Sequence, residues 1–163
     1  MIAKNWIEAN KLVDKWKSTG LKVVFTNGCF DILHRGHVEY LTDAKACGDK
    51  LVTALNSDSS VRGLKGDSRP IQSQDDRAAI LDALASVDLV VIFDEETPAE
   101  IVKTLIPDVL VKGGDYTPET IVGADTVTEN GGEVKIIPFR SGQSTSIIIK
   151  KLLNFNKPGL TPM

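Results

Sequence analysis

The chain contains only two histidines, His34 and His37, and both stand at the end of a glycine-bounded segment. Residues 28–37 read Gly-Cys-Phe-Asp-Ile-Leu-His-Arg-Gly-His and follow a short run of β-favouring residues. Gly28 leaves room for backbone amides to approach a phosphate, and a helix that begins near Gly36 adds unpaired N–H groups and a partial positive charge. The segment is therefore typical of a phosphate-binding loop whose two imidazoles face a single point.

Two other interpretations of the histidine pair stay open from the residues alone. The side chains cap the helix and lie at the surface, or they are two ligands of a metal ion. A metal site needs a third ligand, and because the chain has no further histidine, Cys29 or Asp31 has to supply it. The length of the pattern, a strand followed by Gly-x-Phe-Asp-x-x-His-x-Gly-His and then a helix, favours phosphate binding.

A basic segment follows the second predicted strand. Arg62, Lys65 and Arg69 lie within residues 56–72, a stretch with little hydrophobic periodicity that we predict to be a long loop. Because the whole chain has a net charge of −3, three cations in one segment indicate an anion-binding surface. Glycines on both sides of Lys65 permit its side chain to move over a bound ligand. The alternative is a solvated loop with scattered charges.

Two later loops carry further candidates. Lys112 and a pair of glycines follow the fourth predicted strand, where the small residues allow the backbone to approach a base or a ribose. Residues 140–146 read Arg-Ser-Gly-Gln-Ser-Thr-Ser and precede the last predicted helix. Ser144 is either an ordinary N-cap or, together with Arg140, part of a second helix N-terminus that faces phosphates.

The elements that must position these loops alternate between strands and helices. We predict an α/β fold, a Rossmann-like doubly wound sheet of about five parallel strands with helices on both faces. The predicted strands are 23–26, 51–55, 87–93, 109–111 and 134–137, and the predicted helices are 4–17, 36–47, 74–85, 97–106 and 144–153. Ligands of such sheets bind beyond the carboxyl ends of the strands, which is where the candidate loops fall. Residues 1–155 form one domain in this prediction, with an N-terminal helix in 1–20 and an α/β core in 21–155, and residues 156–163 form a flexible tail.

Composition narrows the classes of function. A net charge of −3 and a pI near 5.4 do not favour nucleic acid or an acidic membrane as a partner. No apolar run approaches the roughly 18 residues of a membrane span, and the N-terminus lacks the apolar core of a signal peptide. Two cysteines are too few for a disulfide framework, so we expect a reduced, cytoplasmic protein.

His34-Arg35-Gly36-His37 resembles the His-x-Gly-His signature of the nucleotidyltransferase superfamily. In relatives the first segment holds a nucleoside triphosphate and the paired histidines contact its phosphates. The resemblance implies that Phe30, Asp31, His34 and His37 take these roles, and that Lys65 corresponds to a mobile catalytic lysine. Residues 140–146 resemble the Arg-x-x-Gly-x-Ser-Thr element of cytidylyltransferases, with a glutamine where relatives have isoleucine.

Four longer stretches, residues 56–66, 68–71, 107–116 and 144–146, resemble the adenylyltransferases that act on D-glycero-β-D-manno-heptose 1-phosphate. This resemblance covers residues 20–153 and implies that ATP and the sugar 1-phosphate yield ADP-heptose and pyrophosphate. It further implies Mg²⁺ bound mainly through the triphosphate, and a homodimer. A glycerol-phosphate-type cytidylyltransferase and a non-catalytic nucleotide-binding module are the alternatives.

The candidate residues fall into three groups and include no assigned metal ligand. The catalytic candidates are His34, His37 and Lys65. The nucleotide-binding candidates are Asn27, Gly28, Cys29, Phe30, Gly36, Lys112, Gly113, Arg140, Ser144 and Thr145. The sugar-phosphate-binding candidates are Asp31, Asn56, Asp58, Arg62 and Arg69, of which Asn56 and Asp58 are equally suited to a turn.

Overall fold

A computed structural model describes residues 1–114, 117, 120–138 and 144–155 of the chain. Its centre is a five-stranded parallel sheet in the order β3-β2-β1-β4-β5. The strands are β1 Val23–Gly28, β2 Lys50–Asn56, β3 Leu89–Phe93, β4 Val109–Gly113 and β5 Glu133–Ile137. The helices are α1 Trp6–Ser18, α2 Arg35–Lys45, α3 Asp58–Lys65, α4 Gln74–Asp82, α5 Ala99–Leu105, α6 Ala124–Glu129 and α7 Thr145–Phe155. The predicted α/β class with a five-stranded parallel sheet is confirmed.

Two apolar clusters cover the two faces of the sheet. Val24 belongs to the cluster shared with α2 and α4, whereas the next residue, Phe25, belongs to the cluster shared with α1, α5 and α6. Successive strand residues point to opposite faces, so a strand covered on both sides has to be apolar throughout. Val23, Val24 and Phe25 are accordingly all fully buried.

The order of the strands creates the place for a ligand. β1 lies at the centre and pairs with β2 on one side and β4 on the other, so the chain moves outward in opposite directions from β1. The loops that leave the carboxyl ends of β1 and β4 therefore separate and open a crevice. The loop with the two histidines and the glycine pair after Lys112 both begin at this crevice.

The N-terminal helix packs on its own domain. Trp6 and Trp16 of α1 lie against the cluster that contains Phe25, and the Trp6 indole donates a hydrogen bond of 2.9 Å to the carbonyl of Ile92. Ahead of the helix, the Ala3 amide donates to the Val90 carbonyl at 2.9 Å and so pairs with the edge strand β3. The two tryptophans are thus explained within one chain.

The predicted long loop over residues 56–72 is wrong in its first half, where the structure has α3. The Ser57 side chain accepts a hydrogen bond from the Ser60 amide, and Asp58 places negative charge in the first turn. Gly66, at a φ of 90°, ends the helix. Lys65 is consequently the last residue of a helix, not the centre of a glycine-hinged loop.

The other elements begin and end close to the predicted residues, but α6 was not predicted. Its 6 residues, Ala124–Glu129, are too short to show a helical period. Ser73 is the N-cap of α4, since its side chain accepts from the Asp76 amide. The predicted tail and Arg140 lie outside the described residues. No helix in the described ranges has both the length and the apolar character needed to cross a membrane.

Candidate active site

The first loop turns sharply directly after β1. Phe30 has a φ of 44°, in the left-handed region that bulky residues rarely adopt, and its ring folds back over Gly28. A Cβ at position 28 would lie 2.9 Å from the Phe30 ring, so the turn requires glycine there. Such local strain persists only where the surrounding structure holds it, and it concentrates at functional sites.

The two histidine rings stack on each other at the start of α2. Their centroids are 3.8 Å apart at an interplanar angle of 19°, and the Phe30 ring meets His37 edge-on at 5.3 Å. His34 occupies the N-cap position, but its side chain makes no capping hydrogen bond. The Nδ1 atoms of both rings are buried without a hydrogen-bond partner among the described residues. Ring packing therefore holds the pair in place, and the two Nδ1 atoms have no hydrogen-bond partner among the described residues.

Burial determines the charge of these rings. It lowers the pKa of His34, and together with the neighbouring His34 it lowers the pKa of His37 to about 4. Both rings are neutral at pH 7 without a ligand. An anion beside them favours the protonated form and offers the partner that their polar atoms lack.

Asp31 fastens the segment after α3 to the first loop. Its carboxylate, 1% exposed, accepts from the Arg69 guanidinium at 2.5 Å and from the backbone amides of Ile71 and Gln72 at 2.8 and 3.0 Å. Burial alone raises the pKa of this carboxyl, but the amide hydrogen bonds and Arg69 together hold it below the ordinary value. Asp31 is thereby fully engaged, and the predicted sugar-phosphate contact would have to displace these bonds.

Arg77 joins three loops of the site, and the sequence did not indicate it. Its side chain is 1% exposed, and one Nη atom donates to the carbonyls of Cys29 at 2.6 Å and Asn56 at 2.9 Å. The other Nη donates to the Asp58 carboxylate at 2.7 Å, and Nε donates to the Gln72 carbonyl at 3.1 Å. The ends of β1 and β2 and the start of α3 are thus fixed to one buried cation.

Lys112 is directed into the crevice from the end of β4. Its ammonium donates to the Asn27 side-chain oxygen at 3.0 Å, a contact that crosses from β4 to the neighbouring β1. Burial lowers the pKa of Lys112, and an anion nearby restores the charged form. Asn27 and Lys112 therefore act as one unit, in which the amide orients the ammonium.

The start of α7 closes the crevice from the other side. The Ser144 hydroxyl accepts from the Ile147 amide at 3.2 Å, which confirms the N-cap interpretation. The Thr145 hydroxyl donates to the Ile32 carbonyl at 3.2 Å and ties α7 to the first loop. This contact brings the N-terminus of α7, with its partial positive charge, to the wall of the crevice.

These loops enclose two adjoining cavities. The first, about 390 Å³, lies between the first loop, α3 and the start of α7, and the second, about 340 Å³, lies towards the ends of β2 and β3. Both cavities are lined by Asn27, Gly28, Cys29, Lys65 and Lys112. The shared wall, at the carboxyl end of β1, therefore carries two lysines that reach both spaces.

Most of the predicted site residues line these cavities. The first is lined by Asn27, Gly28, Cys29, Phe30, Asp31, His37, Lys65, Arg69, Lys112, Gly113, Ser144 and Thr145, together with Tyr40 and Ser146. Asn56 lines the second cavity, whereas His34, Gly36, Asp58 and Arg62 line neither. His34 lies against the ring of His37, Gly36 lines a separate smaller cavity beside α2, and Arg140 is outside the described residues.

The second cavity has a wall that sequence reasoning missed. It contains Leu64, Glu96, Thr97, Pro98, Thr120, Ile121 and Val122 in addition to the residues named above. Leu64 lies within the stretch 56–66 described above, but no motif marks the other positions, because they come from the loop after β3 and the segment before α6. Their placement beyond the carboxyl ends of the strands is the only signal that the sequence contains.

Comparison of the sequence with known families gives a match to the family described as cytidylyltransferase-like, over residues 25–152. Similar proteins include two described as bifunctional protein HldE, from Wolinella succinogenes and Azorhizobium caulinodans. They are 59% identical over 142 residues and 56% identical over 144 residues, which is 87% and 88% of this chain. The matches cover 29% and 30% of those proteins, so the chain spans about three tenths of the curated relatives' length.

Solved structures show the same architecture. A lipopolysaccharide core biosynthesis protein from Thermoplasma volcanium is 30% identical with a TM-score of 0.60, over 76% of this chain and 100% of that one. A pantoate-β-alanine ligase from Francisella tularensis, solved with a form of ATP and β-alanine, is 13% identical with a TM-score of 0.62. That match covers 90% of this chain and 69% of the ligase, and it bears on the fold alone.

Proposed function

Because the chain belongs to the cytidylyltransferase-like family, we propose that it transfers the adenylyl group of ATP to D-glycero-β-D-manno-heptose 1-phosphate. The products are ADP-heptose and pyrophosphate. The family supports nucleotidyl transfer, and the sequence stretches described above support adenine and the heptose. The solved relative that is described as a lipopolysaccharide core biosynthesis protein agrees with a heptose precursor of surface glycans.

One observation carries this proposal: two cavities meet at a wall that bears Lys65 and Lys112. A single displacement at phosphorus requires the attacking and leaving oxygens to approach and depart in line. We place the triphosphate in the first cavity, beside His37 and the start of α7, and the sugar phosphate in the second. The α-phosphorus then lies at the shared wall, with the two reactants on opposite sides.

The chemistry needs no general base. The phosphate of the sugar is already an oxyanion at neutral pH, since its second pKa is about 6. One of its oxygens forms the new bond to the α-phosphorus, while the bond from that phosphorus to the bridging oxygen of the β-phosphate breaks. Pyrophosphate leaves with the electron pair. The protein therefore acts by positioning the reactants and stabilising charge.

Each charged group in the first cavity then has a place in the reaction. His37 stabilises charge on the α-phosphate, with His34 stacked against it. Lys65 and Lys112 span the shared wall and balance the two anions that must approach each other. The α7 N-terminus, with Ser144 and Thr145, holds the terminal phosphates. Asp31 and Asp58, through Arg69 and Arg77, position these loops instead of contacting the sugar phosphate.

Mg²⁺ enters this proposal with the nucleotide. Across the described parts of the chain no three His, Cys, Asp or Glu residues are grouped to hold a metal ion. The Asp31 carboxylate in the first cavity is taken up by Arg69 and two backbone amides. In this proposal phosphate oxygens and water supply the ligands of the ion, and the ion screens the charge of the triphosphate.

The test is pyrophosphate release with ATP, CTP, GTP and UTP, each combined with heptose 1-phosphate or glycerol 3-phosphate. We expect the fastest release with ATP and heptose 1-phosphate. Fastest release with CTP and glycerol 3-phosphate would favour the second candidate, which the cytidylyltransferase-like match supports. Binding of ATP without pyrophosphate release across the whole panel would replace an enzyme with a nucleotide-binding module.

We propose in addition that the chain works in the cytoplasm, where ATP is supplied, and forms a homodimer. The resemblance to dimeric enzymes suggests the dimer, and the surface of α7 supports it. Ile147, Leu152 and Leu153 of this helix are all exposed, with Leu153 at 65%. Apolar side chains grouped on one exposed helix are typical of a surface that another chain covers.

A further inference from the structure

The wall of the second cavity contains one acidic side chain among its described residues, Glu96. Its carboxylate accepts no hydrogen bond and forms no ion pair with any residue that the structure describes. A carboxylate in a cavity for a phosphate ester repels the phosphate, so it has to face a different part of the ligand. Carboxylate oxygens accept hydrogen bonds strongly and suit the hydroxyl groups of a sugar.

The lysines show which end of the cavity takes the phosphate. Lys65 and Lys112 line both cavities and so mark the shared wall, where the two phosphates must meet. Glu96 lines the second cavity and not the first, in which we place the triphosphate. The second cavity is therefore cationic at the wall it shares with the first and has its one described acidic group elsewhere on its wall. A phosphate ester with hydroxyl groups on its other end matches this arrangement of charges.

The loop that carries Glu96 is held in place by α3. The Ser59 hydroxyl donates to the Asp94 carboxylate at 3.1 Å, and the Ser60 hydroxyl donates to the Glu95 carbonyl at 3.0 Å. Both serines lie in the first turns of the helix whose last residue is Lys65. The loop that carries Glu96 and the backbone of Lys65 are thus connected through one helix, whereas Lys112 comes from β4.

The remaining wall suits the carbon skeleton and hydroxyls of a sugar. Leu64, Pro98 and Ile121 give the cavity apolar surface, and Thr97 and Thr120 add hydroxyl groups. Sites of this kind combine an apolar wall with a few polar groups that fix orientation.

We infer that Glu96 determines specificity for the acceptor by accepting hydrogen bonds from its hydroxyl groups, so that the second cavity selects a polyhydroxylated phosphate monoester. This inference rests on the proposed function and names a residue of that site that no motif marks. An analogue that lacks the hydroxyl leaves the Glu96 carboxylate without this partner in the cavity, so the cavity favours the hydroxylated acceptor.

The experiment compares wild type, Glu96→Gln and Glu95→Gln in steady-state turnover with ATP and heptose 1-phosphate. Glu95 is the matched control, because it is the exposed neighbour of the same charge and its side chain lines neither cavity. We expect Glu96→Gln to raise the KM for heptose 1-phosphate roughly tenfold or more, with the KM for ATP and kcat within about twofold. Glu95→Gln keeps all three values near those of wild type.

Titration calorimetry with heptose 1-phosphate alone separates the possible failures. An unchanged Kd and KM in Glu96→Gln, an equal loss in Glu95→Gln, or a matching rise in the KM for ATP each overturns the role of Glu96 while leaving the proposed function intact. A wild-type protein that binds heptose 1-phosphate but releases no pyrophosphate contradicts the proposed function instead. Weaker binding by Glu96→Gln in that case still supports the recognition of hydroxyl groups.

Discussion

His37 is the imidazole that reaches the first cavity, and its neutrality without a ligand fits a role in charge stabilisation. Replacing it with alanine should reduce turnover by roughly a hundredfold or more, because a donor to the developing charge is lost. The ring is only half-buried, so the fold should survive. Pyrophosphate release and circular dichroism measure both effects. Arg35→Ala, an exposed change on the same turn of α2, is the control, and equal turnover of the two variants would contradict the assignment.

Asp31 links the stability of the protein to pH. The pKa of the Asp31 carboxyl is lower in the folded protein than in the unfolded chain. The ionised carboxylate therefore stabilises the folded state at any pH above its pKa in the unfolded chain. This stabilisation is lost as the pH falls through the lower pKa of the folded state. Asp31→Asn should lower the free energy of unfolding at pH 7 by about 2–4 kcal/mol, because Arg69 loses its charged partner. The variant should also lose less stability than wild type as pH is lowered from about 4.

Urea unfolding at pH 7 and at two lower values measures this dependence. Asp67→Asn, an exposed change in the same segment as Arg69, should leave both the stability and its slope close to wild type. A parallel pH profile for wild type and Asp31→Asn would show that the Asp31 carboxylate has an ordinary pKa and that its contacts contribute little.

At the scale of elements, α3 decides which basic side chains face the site. Lys65 at its end lines both cavities, while Arg62, one turn earlier, is exposed and lines neither. Lys65→Ala should therefore reduce kcat/KM at least about thirtyfold, whereas Arg62→Ala should reduce it less than about threefold. Steady-state kinetics over both substrates measure the two values. Similar losses in both variants would favour a mobile basic loop over a helix.

The same helix shows what the sequence can and cannot predict. β1 was predictable because both of its faces are buried and its residues are continuously apolar, and the first loop because its residues form a long motif. The helix α3 was not predictable, because two serines and Gly63 interrupt its hydrophobic period and because the Ser57 cap stabilises its start. Arg77 was missed for a related reason: its partners lie 5 to 48 residues away along the chain, and no local pattern reports such contacts.

Arg77 on α4 should position the site without touching a substrate. Arg77→Lys keeps the charge, but one ammonium cannot hold both the Cys29 and Asn56 carbonyls while pairing with Asp58. We expect kcat to fall about tenfold or more, with a smaller change in the KM for ATP, because misplaced loops disturb the aligned geometry. Arg77→Met, which also removes the charge, should be less active still, so the lysine variant is a partial rescue.

A destabilised control separates this effect from a general loss of structure. Leu81 lies on the same helix, is fully buried in the apolar cluster on that face of the sheet and lines neither cavity of the site. Leu81→Ala should cost about 2–5 kcal/mol of stability, yet keep kcat for the folded protein. If Arg77→Lys and Leu81→Ala lower Tm similarly and keep the same kcat at a temperature where both are folded, Arg77 serves stability alone.

At the scale of the whole molecule, the packing of α1 reduces the surface that is available to a second copy of the chain. Trp6 and Trp16 are used within the chain, so the apolar face of α1 is not available for a partner. Exposed aliphatic residues lie on several other elements, and in our proposal the homodimer forms at those of α7. Leu152→Asp combined with Leu153→Asp should convert the dimer to a monomer, because the charges cannot be buried without partners.

Light scattering coupled to size-exclusion chromatography gives the mass of each form. Ile7→Asp, at an exposed apolar position of α1, is the matched control and should leave the mass unchanged. A wild-type mass equal to the 17.7 kDa of one chain would contradict the homodimer. A dimer that persists in the α7 variant but dissociates in Ile7→Asp would place the interface on the exposed surface of α1 around Ile7.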